Sequence, residues 1–402
     1  MKIELNQPLY QSALPVMEII ERAGHQVYFV GGCVRDTLLG HDIHDIDIAS
    51  SATPDEIQAL FRTTIDVGKE HGTVIVVFKG IPYEITTFRT EGVYSDFRRP
   101  DSVAFVRNLE EDTLRRDFTM NALAVNPSGE LYDYHGGVAD LQAKMIRAVG
   151  VATERFTEDA LRILRAIRFA SQLGFSIEAQ TFQAIRQLAP MLKHISIERI
   201  RIEMSKFLIG KHIQQAIPIF IETGILEVLP LLEQLPQEQL REGLAQLQAQ
   251  LISAVPHDEA LRWALFLRAC RIEEVESFLK KWTHSNQFIK TVQSILAVMD
   301  AYEKEAIDAW VVYQHDLAVL SLVQDYCQAH HWAYQPPLCA LKQALPIQSK
   351  RDLAMNGKQL MEALGLKSGS SQVGEWLNTI EYQVVMGELD NSYDAIRALI
   401  HQ

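Results

Sequence analysis

The spacing of hydrophobic residues changes near residue 155, and this change limits the possible folds more than any other feature of the chain. Before it, apolar runs with strand character at 26–30 and 45–49 alternate with a short helical segment at 34–39. After it, helical spacing recurs in one segment after another. The sequence therefore predicts an α+β protein, in which a small head containing a mixed sheet is followed by helices alone.

Turn and capping residues delimit the other predicted elements. Residues 53–56 (Thr-Pro-Asp-Glu) have the N-cap Thr, the first-turn Pro and the third-position Glu of a capping box. Two strands are predicted at 73–78 and 83–88 around a Lys-Gly turn, and a second pair at 122–125 and 131–134. The helices predicted after residue 155 cover 157–173, 179–188, 197–207, 237–253, 259–270, 288–301 and 318–330.

The composition is that of a globular protein with several domains. The chain has 402 residues, of which 48% are hydrophobic and 22% charged, and these proportions disfavour disorder. No apolar run approaches the roughly 18 residues of a membrane span, and no signal peptide is expected. Four widely separated cysteines without a CxxC pair argue against a zinc ribbon and fit a reducing compartment. We therefore expect a cytoplasmic protein with no membrane partner.

The charge is distributed unevenly along the chain. The net charge of −13 argues by itself against a nucleic-acid partner. However, residues 141–220 carry +6, whereas 1–140 carry −10, 221–330 carry −8 and 331–402 carry −1. The basic stretch could bind a polyanion, although ordinary solvated helix faces are an equal alternative for each residue. The candidate phosphate contacts there are Arg186, Lys193, Arg199, Arg201, Lys206 and Lys211.

Two acidic residues at alternate positions suggest a metal site. Asp45 and Asp47 would lie on one face of a predicted strand, where a divalent cation such as Mg²⁺ relieves the repulsion between their carboxylates. Two solvated acids on an edge strand are the alternative. Glu84, on a nearby predicted strand, could complete the cluster or could instead pair with Arg89.

Glycines and arginines near this pair suggest a triphosphate site. Gly32 belongs to a Gly-Gly pair directly after the first predicted strand, where free backbone amides can hold phosphate, and Arg35 follows closely. Arg116 lies in an Arg-Arg-Asp segment, and arginine binds phosphate through a bidentate fork. An ordinary turn and a surface salt bridge are the respective alternatives. The chain has neither the P-loop pattern nor GxGxxG.

One predicted helix carries a stripe of charged residues. Asp159, Arg162, Arg165 and Arg168 follow one another in steps of three, which places them on one face. An amphipathic helix with an internal Asp–Arg pair is the alternative.

Five ordered motifs resemble those of a known family. They are GGCVRD (31–36), DIDIA (45–49), RRDFTMNA (115–122), DYHGG (133–137) and EDALRILRAIRFA (158–170). Together they resemble the class II bacterial tRNA nucleotidyltransferases, the CCA-adding enzymes, whose head and neck also occur in bacterial poly(A) polymerases. Residues 86–106 resemble the flexible loop of that family.

The resemblance implies a polymerase-β-type nucleotidyltransferase head followed by a helical neck, body and tail. It places the head at 1–141, the neck for base recognition at 142–200, the body at 201–275 and the tRNA-binding tail at 276–402. It implies Mg²⁺ on Asp45 and Asp47, with Arg116 as a third catalytic residue. The ATP and CTP contacts that it implies are Gly32, Arg35, Arg116, Asp159, Arg162, Arg165 and Arg168.

The residue types at 159 and 162 fit the bases that the family uses. Cytosine and adenine both present an exocyclic amine donor beside a ring-nitrogen acceptor. The Asp159 carboxylate could accept from the amine while the Arg162 guanidinium donates to the ring nitrogen. Guanine and uracil present a keto oxygen and an N–H instead, and a site built from hydrogen-bonding groups rejects them.

The expected function is template-independent addition or repair of the tRNA 3′-CCA end, with tRNA, CTP and ATP as partners and a homodimer left open. The alternatives are a poly(A) polymerase, an enzyme that adds only CC or only A, and a noncatalytic RNA-binding relative. A glycine-rich turn between helical segments at 355–377 is expected to contact the tRNA backbone, with a plain helical hairpin as the alternative. His-Asp pairs at 257–258 and 315–316 lack the other ligands of a phosphohydrolase, so none is expected.

Overall fold

The change from mixed to helical structure is confirmed in the computed structural model, which describes residues 1–92, 102–332, 337–366 and 371–401. The chain forms two units, Met1–Arg241 and Glu242–Gln402. In the first unit, the elements up to residue 146 are α1 (Pro8–Arg22), β1 (Val27–Val30), α2 (Gly32–Leu38), β2 (Asp47–Ser50), α3 (Pro54–Leu60), β3 (Thr64–Gly68), β4 (Thr73–Phe78), β5 (Ile81–Thr87), β6 (Arg89–Glu91), β7 (Val103–Phe105), α4 (Leu109–Leu114), β8 (Ala124–Val125), β9 (Leu131–Tyr132), α5 (Gly137–Gln142) and β10 (Met145–Ile146).

Seven of these strands form one mixed sheet in the order β3-β4-β5-β2-β1-β8-β9. Strands β2 and β5 are parallel, and the other neighbours are antiparallel. The register places Asp47 beside Val30 on one side and beside Glu84 on the other. The start of β2 therefore lies next to the turn that follows β1.

The buried apolar residues of the head explain why its predicted strands form. All four residues of β1 are buried, as are Ile48 on β2 and Ile85 on β5. Helix α1 contributes the buried Tyr10, whose hydroxyl donates a hydrogen bond of 2.9 Å to the Cys33 carbonyl. The capping box predicted at the start of α3 is confirmed, with Thr53 as the N-cap. These contacts hold β1, α2 and β2 in fixed relative positions.

The helical part of the first unit contains one strand that the sequence analysis missed. Strand β11 pairs in parallel with β10 over two residues, too few to give a period-two pattern. The single helix predicted at 157–173 is wrong, because the backbone leaves helical geometry at Asp159. The elements are α6 (Ala152–Glu158), α7 (Leu161–Leu173), β11 (Ser176–Ile177), α8 (Ala179–Leu188), α9 (Ile197–Leu208), α10 (Ile213–Glu222) and α11 (Gln237–Gln250), within which the unit boundary falls.

The second unit is helical throughout its described residues. Its cores include Trp263 and Trp282, both fully buried, and a separate cluster around Leu360 and Ile380. Its helices are α12 (Glu259–Ala269), α13 (Val275–Lys281), α14 (Asn286–Glu303), α15 (Ala309–Gln314), α16 (Leu317–Ala329), α17 (Leu338–Ala344), α18 (Gly357–Ala363), α19 (Ser371–Val385) and α20 (Tyr393–Ile400). Short 3₁₀ turns of both units lie at Lys69–His71, Thr119–Asn121, Ala189–His194, Ile225–Glu227, Leu232–Gln234 and Lys350–Asp352.

Three further predictions concern this unit and the loop of the head. Asp258 and Asp316 occupy the N-cap positions of α12 and α16, and the described residues contain no cluster of three or more potential metal-ligating side chains. Part of the predicted tRNA contact, residues 367–370, and part of the predicted loop, residues 93–101, lie outside the described residues. Among the described helices, none has the length and apolar character needed to cross a bilayer.

Candidate active site

A pocket of about 470 Å³ opens in the first unit where β1 gives way to α2. The elements around it come from the sheet, from the segment after α4 and from helices α7 and α9. The pocket brings together all of the predicted site residues, which are Gly32, Arg35, Asp45, Asp47, Arg116, Asp159, Arg162, Arg165 and Arg168.

The two predicted metal carboxylates lie at one side of the pocket. Asp47 is the first residue of β2, but Asp45 precedes the strand, so the prediction that both lie on a strand is wrong. The carboxylate repulsion is nevertheless present. Partial desolvation by the surrounding pocket and the neighbouring Asp45 raise the pKa of Asp47, while Arg116 lowers it and Glu84 raises it further. A cation at this position would relieve that repulsion.

The donor set of this carboxylate pair fits a hard divalent ion. Both residues are exposed, and carboxylate oxygens are the ligands that Mg²⁺ takes in small number while keeping water and substrate phosphates in its shell. Within the described part of the chain no third acidic, His or Cys side chain joins them in a metal-sized cluster. Glu84, next to Asp47 in the register, is exposed and does not line the pocket. The suggested alternative for it is wrong, because Arg89 pairs with Glu91 at 2.9 Å.

Of the two glycines after β1, Gly31 is the one whose backbone conformation requires glycine. Gly31 has φ 74° and ψ −130°, a region that residues with a side chain rarely adopt. A Cβ there would lie 3.5 Å from Asp47 Oδ2 and 3.6 Å from Arg116 Nη1. Gly32 begins α2 with ordinary helical geometry. Gly31 thus brings the backbone close to both a carboxylate and a guanidinium. The sequence analysis did not assign this role to Gly31.

A buried carboxylate fixes the Arg-Arg pair. Asp112, fully buried on α4, accepts from Arg115 Nε at 2.9 Å and from Arg116 Nη2 at 3.2 Å. Burial opposes the ionisation of Asp112, but the two guanidinium groups outweigh it and lower its pKa. Arg116 Nε is buried and has no hydrogen-bond partner among the described residues. The surface salt bridge offered as an alternative is therefore wrong, since the pair is formed with a buried acid.

Asp117 joins the head to helix α7. Its carboxylate accepts from Arg165 Nε at 2.8 Å and from Asn121 Nδ2 at 3.0 Å. Although Asp117 is buried, Arg165 and Asn121 lower its pKa, so it remains ionised. Asn121 in turn accepts from Arg35 Nη1 at 2.8 Å. This chain of contacts orients two of the predicted phosphate ligands, Arg35 and Arg165. The sequence analysis gave Asp117 and Asn121 no such role, because the arginines that they hold lie far from them in sequence.

Three arginines surround the ring of Phe169. The guanidinium carbons of Arg168, Arg35 and Arg165 lie 3.9, 5.1 and 5.6 Å from its centroid. Burial lowers the pKa of Arg168 to about 10, although its partner Glu203, at 2.9 Å, acts in the opposite direction. The electron-rich ring reduces the cost of placing like charges together.

Asp159 and Arg162 line the same pocket without pairing with each other. Asp159 lies between α6 and α7 in extended geometry, so it does not share a helix face with the arginines as predicted. Its Oδ1 accepts from the Leu161 N–H at 3.1 Å, the contact of an Asx turn between the two helices. Arg162 instead donates to Glu158 at 2.6 Å and to the Arg115 carbonyl at 2.8 Å.

The partner of Asp159 is Arg199, from helix α9. Arg199 donates from Nη2 to Oδ2 at 2.7 Å and from Nη1 to Oδ1 at 3.2 Å. The sequence analysis grouped Arg199 with candidate tRNA contacts, whereas the fold places it in the pocket. Of the other basic residues in that group, Arg201 is half-buried and the remaining four, Arg186, Lys193, Lys206 and Lys211, are exposed.

Comparison with known proteins identifies the family. The Poly A polymerase head domain matches residues 27–147, the RNA and SrmB-binding site of polymerase A matches 174–235, and tRNA nucleotidyltransferase domain 2 matches 255–400. A CCA-adding enzyme of Streptococcus mutans is 45% identical over 393 residues, which cover 96% of each chain. A CCA-adding enzyme of Streptococcus pyogenes is 43% identical and covers 100% of this chain and 99% of its own. The chain belongs to the family of CCA-adding enzymes.

Solved structures of this family share the fold. The crystal structure of the Bacillus stearothermophilus CCA-adding enzyme in complex with CTP is similar with a TM-score of 0.85 at 40% identity, covering 98% of this chain and 97% of that one. The Thermotoga maritima CCA-adding enzyme complexed with tRNA has a TM-score of 0.65 at 22% identity, covering 99% and 96%. CCA-adding enzymes are nucleotidyltransferases, which generally use divalent metal ions, and the exposed carboxylate pair fits that requirement.

Proposed function

We propose that this chain adds or repairs the 3′-terminal CCA of tRNA, using CTP and ATP and no nucleic-acid template. The observation that carries the proposal is the single pocket in which exposed carboxylates, clustered arginines and an Asp–Arg base reader line the same cavity. Phosphoryl transfer needs the first two groups, and choice of base needs the third. tRNA, CTP and ATP are the partners, and the cytoplasm is the proposed location.

The division of labour along the chain follows the resemblance. The head at 1–141 carries the chemistry and the neck at 142–200 reads the base. The segment at 201–275 is a helical body, and the tail at 276–402 binds tRNA. The glycine-rich segment at 355–377 is part of that tail.

Asp45 and Asp47 would hold Mg²⁺. When bound there, the metal lowers the pKa of the attacking hydroxyl and balances the charge of the leaving pyrophosphate. In the reaction, the 3′-hydroxyl of the RNA releases its proton to water, and its oxygen forms a bond to the α-phosphorus of the nucleotide. The bond from that phosphorus to the bridging oxygen breaks, and pyrophosphate leaves. Glu84 lies outside the pocket and is not among the proposed metal ligands; it acts on Asp47 through its charge across the parallel β2–β5 pair.

The arginines bind and orient the triphosphate. Arg116 is held by Asp112, and its buried Nε–H has no partner among the described residues, so it has a donor available for a phosphate oxygen. Arg35, Arg165 and Arg168 are held around Phe169, with Gly32 at the start of α2 beside Arg35. Because these side chains are already ordered, nucleotide binding has little rotamer entropy to remove.

Base choice depends on the acceptor and donor positions of Asp159 and Arg162 that contacts with the rest of the protein leave free. A carboxylate offers about four acceptor positions, and Arg199 and the Leu161 N–H occupy three of them on Asp159. Arg162 uses three of its five N–H groups on Arg155, Glu158 and Arg115. One acceptor and two donors thus remain, which suits the amine and ring nitrogen of cytosine and of adenine.

Nucleotide incorporation tests the proposal. Three tRNA transcripts, ending before the first C, before the second C and before the terminal A, are incubated with each labelled nucleoside triphosphate separately and Mg²⁺. The proposal predicts two C additions, then one A, then arrest. Continued A addition to any RNA would indicate a poly(A) polymerase instead, and CC or A alone an enzyme of partial function. tRNA binding without incorporation would indicate a noncatalytic relative.

A further inference from the structure

The hydrogen bonds that Asp159 already accepts from the protein limit which bases it can bind. Both of its carboxylate oxygens accept a hydrogen bond from Arg199, at 2.7 and 3.2 Å, and Oδ1 accepts a second one from the Leu161 N–H. Oδ1 is therefore saturated, and only Oδ2 has an acceptor position left. Asp159 can accept one N–H from a base but not two side by side.

The single acceptor position left on Asp159 discriminates between guanine and the two accepted bases, cytosine and adenine. The pairing edges of cytosine and adenine each offer one amine donor next to a ring-nitrogen acceptor. The pairing edge of guanine offers two adjacent donors, its N1–H and its exocyclic amine, which would match a carboxylate with both oxygens open. Guanine is also the same size as adenine, so the volume of the pocket does not exclude it.

We infer that Arg199 is a specificity-determining residue that excludes GTP. It does so by occupying the acceptor position on Asp159 Oδ1 that the second N–H of guanine would need. The inference rests on the proposed function of the pocket and adds a residue to it. Arg199 does not touch the base; it acts through Asp159 as a positioning residue. A partner that blocks the wrong ligand contributes to specificity without adding affinity for the right one.

The contacts around the pair support this role. Arg199 and Asp159 lie 40 positions apart in the chain, so their pairing depends on the packing of α9 beside α7 rather than on local turn geometry. Their side chains are 21% and 16% exposed, which limits competition from water for the two hydrogen bonds. Arg162 has its own acidic partner, Glu158, at 2.6 Å, so Asp159 is not needed to balance its charge and can pair with Arg199.

Equilibrium binding of the four nucleoside triphosphates to the full chain, without tRNA, tests the inference. Arg199→Met opens both oxygens of Asp159 and should raise the ratio of GTP to CTP affinity by roughly tenfold or more, because a charge-assisted hydrogen bond contributes at that level. Arg199→Lys can cover one oxygen and should give an intermediate ratio. Arg241→Met, which removes an exposed ion pair with Glu227 in the same unit, should leave the ratio unchanged.

The readouts separate this role from two others. An unchanged GTP-to-CTP ratio in Arg199→Met, whatever the absolute affinities, would overturn the inference and leave Arg199 a structural residue. A rise in the KM for tRNA with an unchanged nucleotide ratio would overturn it in favour of the tRNA contact. Wild-type protein that binds CTP and ATP yet adds neither to tRNA would refute the proposed function, while the ratio in the variants would still decide the role of Arg199.

Discussion

At the scale of single residues, the backbone at Gly31 is a demanding position in the site. With φ 74° and ψ −130°, an alanine there is strained by roughly 1–3 kcal/mol. Gly31→Ala should therefore lower the free energy of unfolding by that amount in a urea titration. Gly32→Ala is the matched control, because its Cβ would meet only Arg35 Nη2 at 3.8 Å and alanine favours the helix. Equal stability of the two variants would contradict this account.

Phe169 packs against Arg35, Arg165 and Arg168, the arginines proposed to bind the triphosphate. Phe169→Leu removes three cation–π contacts, each contributing about 0.5–2 kcal/mol, and should weaken CTP and ATP binding by the same factor, roughly tenfold or more. The measurement is Kd for each nucleotide. Phe266→Leu, a buried Phe of the second unit, should lose stability without a change in either Kd. A Phe169→Leu protein with the affinities of the wild type would refute the supporting role.

The residues of the site could be predicted from the sequence where they belong to short local motifs. Asp45, Asp47, Arg116 and the arginines of α7 line the pocket as expected. Two of the partners were not predictable, since Asn121 reaches Arg35 and Arg199 reaches Asp159 only through tertiary packing. Asp112, by contrast, lies four positions before Arg116, a local spacing that the sequence analysis did not use. The geometry of Asp159 had a local signal that was not used, because an aspartate readily accepts a hydrogen bond from the backbone two residues on and so interrupts a helix.

At the scale of elements, helix α3 links a capping box to an ion pair. Glu56 accepts from the Thr53 N–H at 2.7 Å and from Arg107 at 2.8 and 3.0 Å, although its side chain is 37% exposed. The hydrogen bonds from Arg107 and then from the Thr53 backbone lower the pKa of Glu56 from its ordinary 4.5 to about 2. The resulting stabilisation is full above pH 4.5 and disappears as the pH falls towards 2.

The pH dependence of unfolding tests this contact. Between pH 5 and pH 3, the wild type should lose more free energy of unfolding than Glu56→Gln, whose amide keeps the capping bond but not the charge. Solvent exposure limits the difference to about 1 kcal/mol or less. Glu111→Gln is the control, because Glu111 is exposed and forms no ion pair within the described residues. Parallel pH profiles for wild type and Glu56→Gln would rule the contact out as a source of stability.

Elements with a strong periodic pattern were predicted well. Strand β4 and helix α8 have the predicted bounds, because their apolar spacing continues over six and ten residues. Strands β6, β7 and β11 are too short to give a pattern, and β3 lacks buried residues on either face. Their positions depend on neighbours in the sheet, which a single sequence does not reveal.

At the scale of the whole molecule, the uneven distribution of charge predicts that tRNA and the nucleotides depend on different basic residues. Residues 141–220 carry +6 within a chain of −13, and Lys193 and Lys206 are exposed there. The double variant Lys193→Ala/Lys206→Ala should weaken tRNA binding and reduce its salt dependence by up to about one unit of slope per lost phosphate contact. CTP binding should not change. The double variant Lys2→Ala/Arg62→Ala, in the acidic segment, should leave both properties intact, and an equal loss of tRNA affinity there would refute a localised contact.

We propose that one pocket adds both C and A. The most direct test is the rate of addition by Asp47→Asn on a tRNA ending before the first C and on a tRNA ending before the terminal A, with metal in excess. C addition and A addition should fall together, by about 100-fold or more, because both would use the same carboxylate pair. An Asp47→Asn protein that lost one addition and retained the other at the wild-type rate would contradict this proposal.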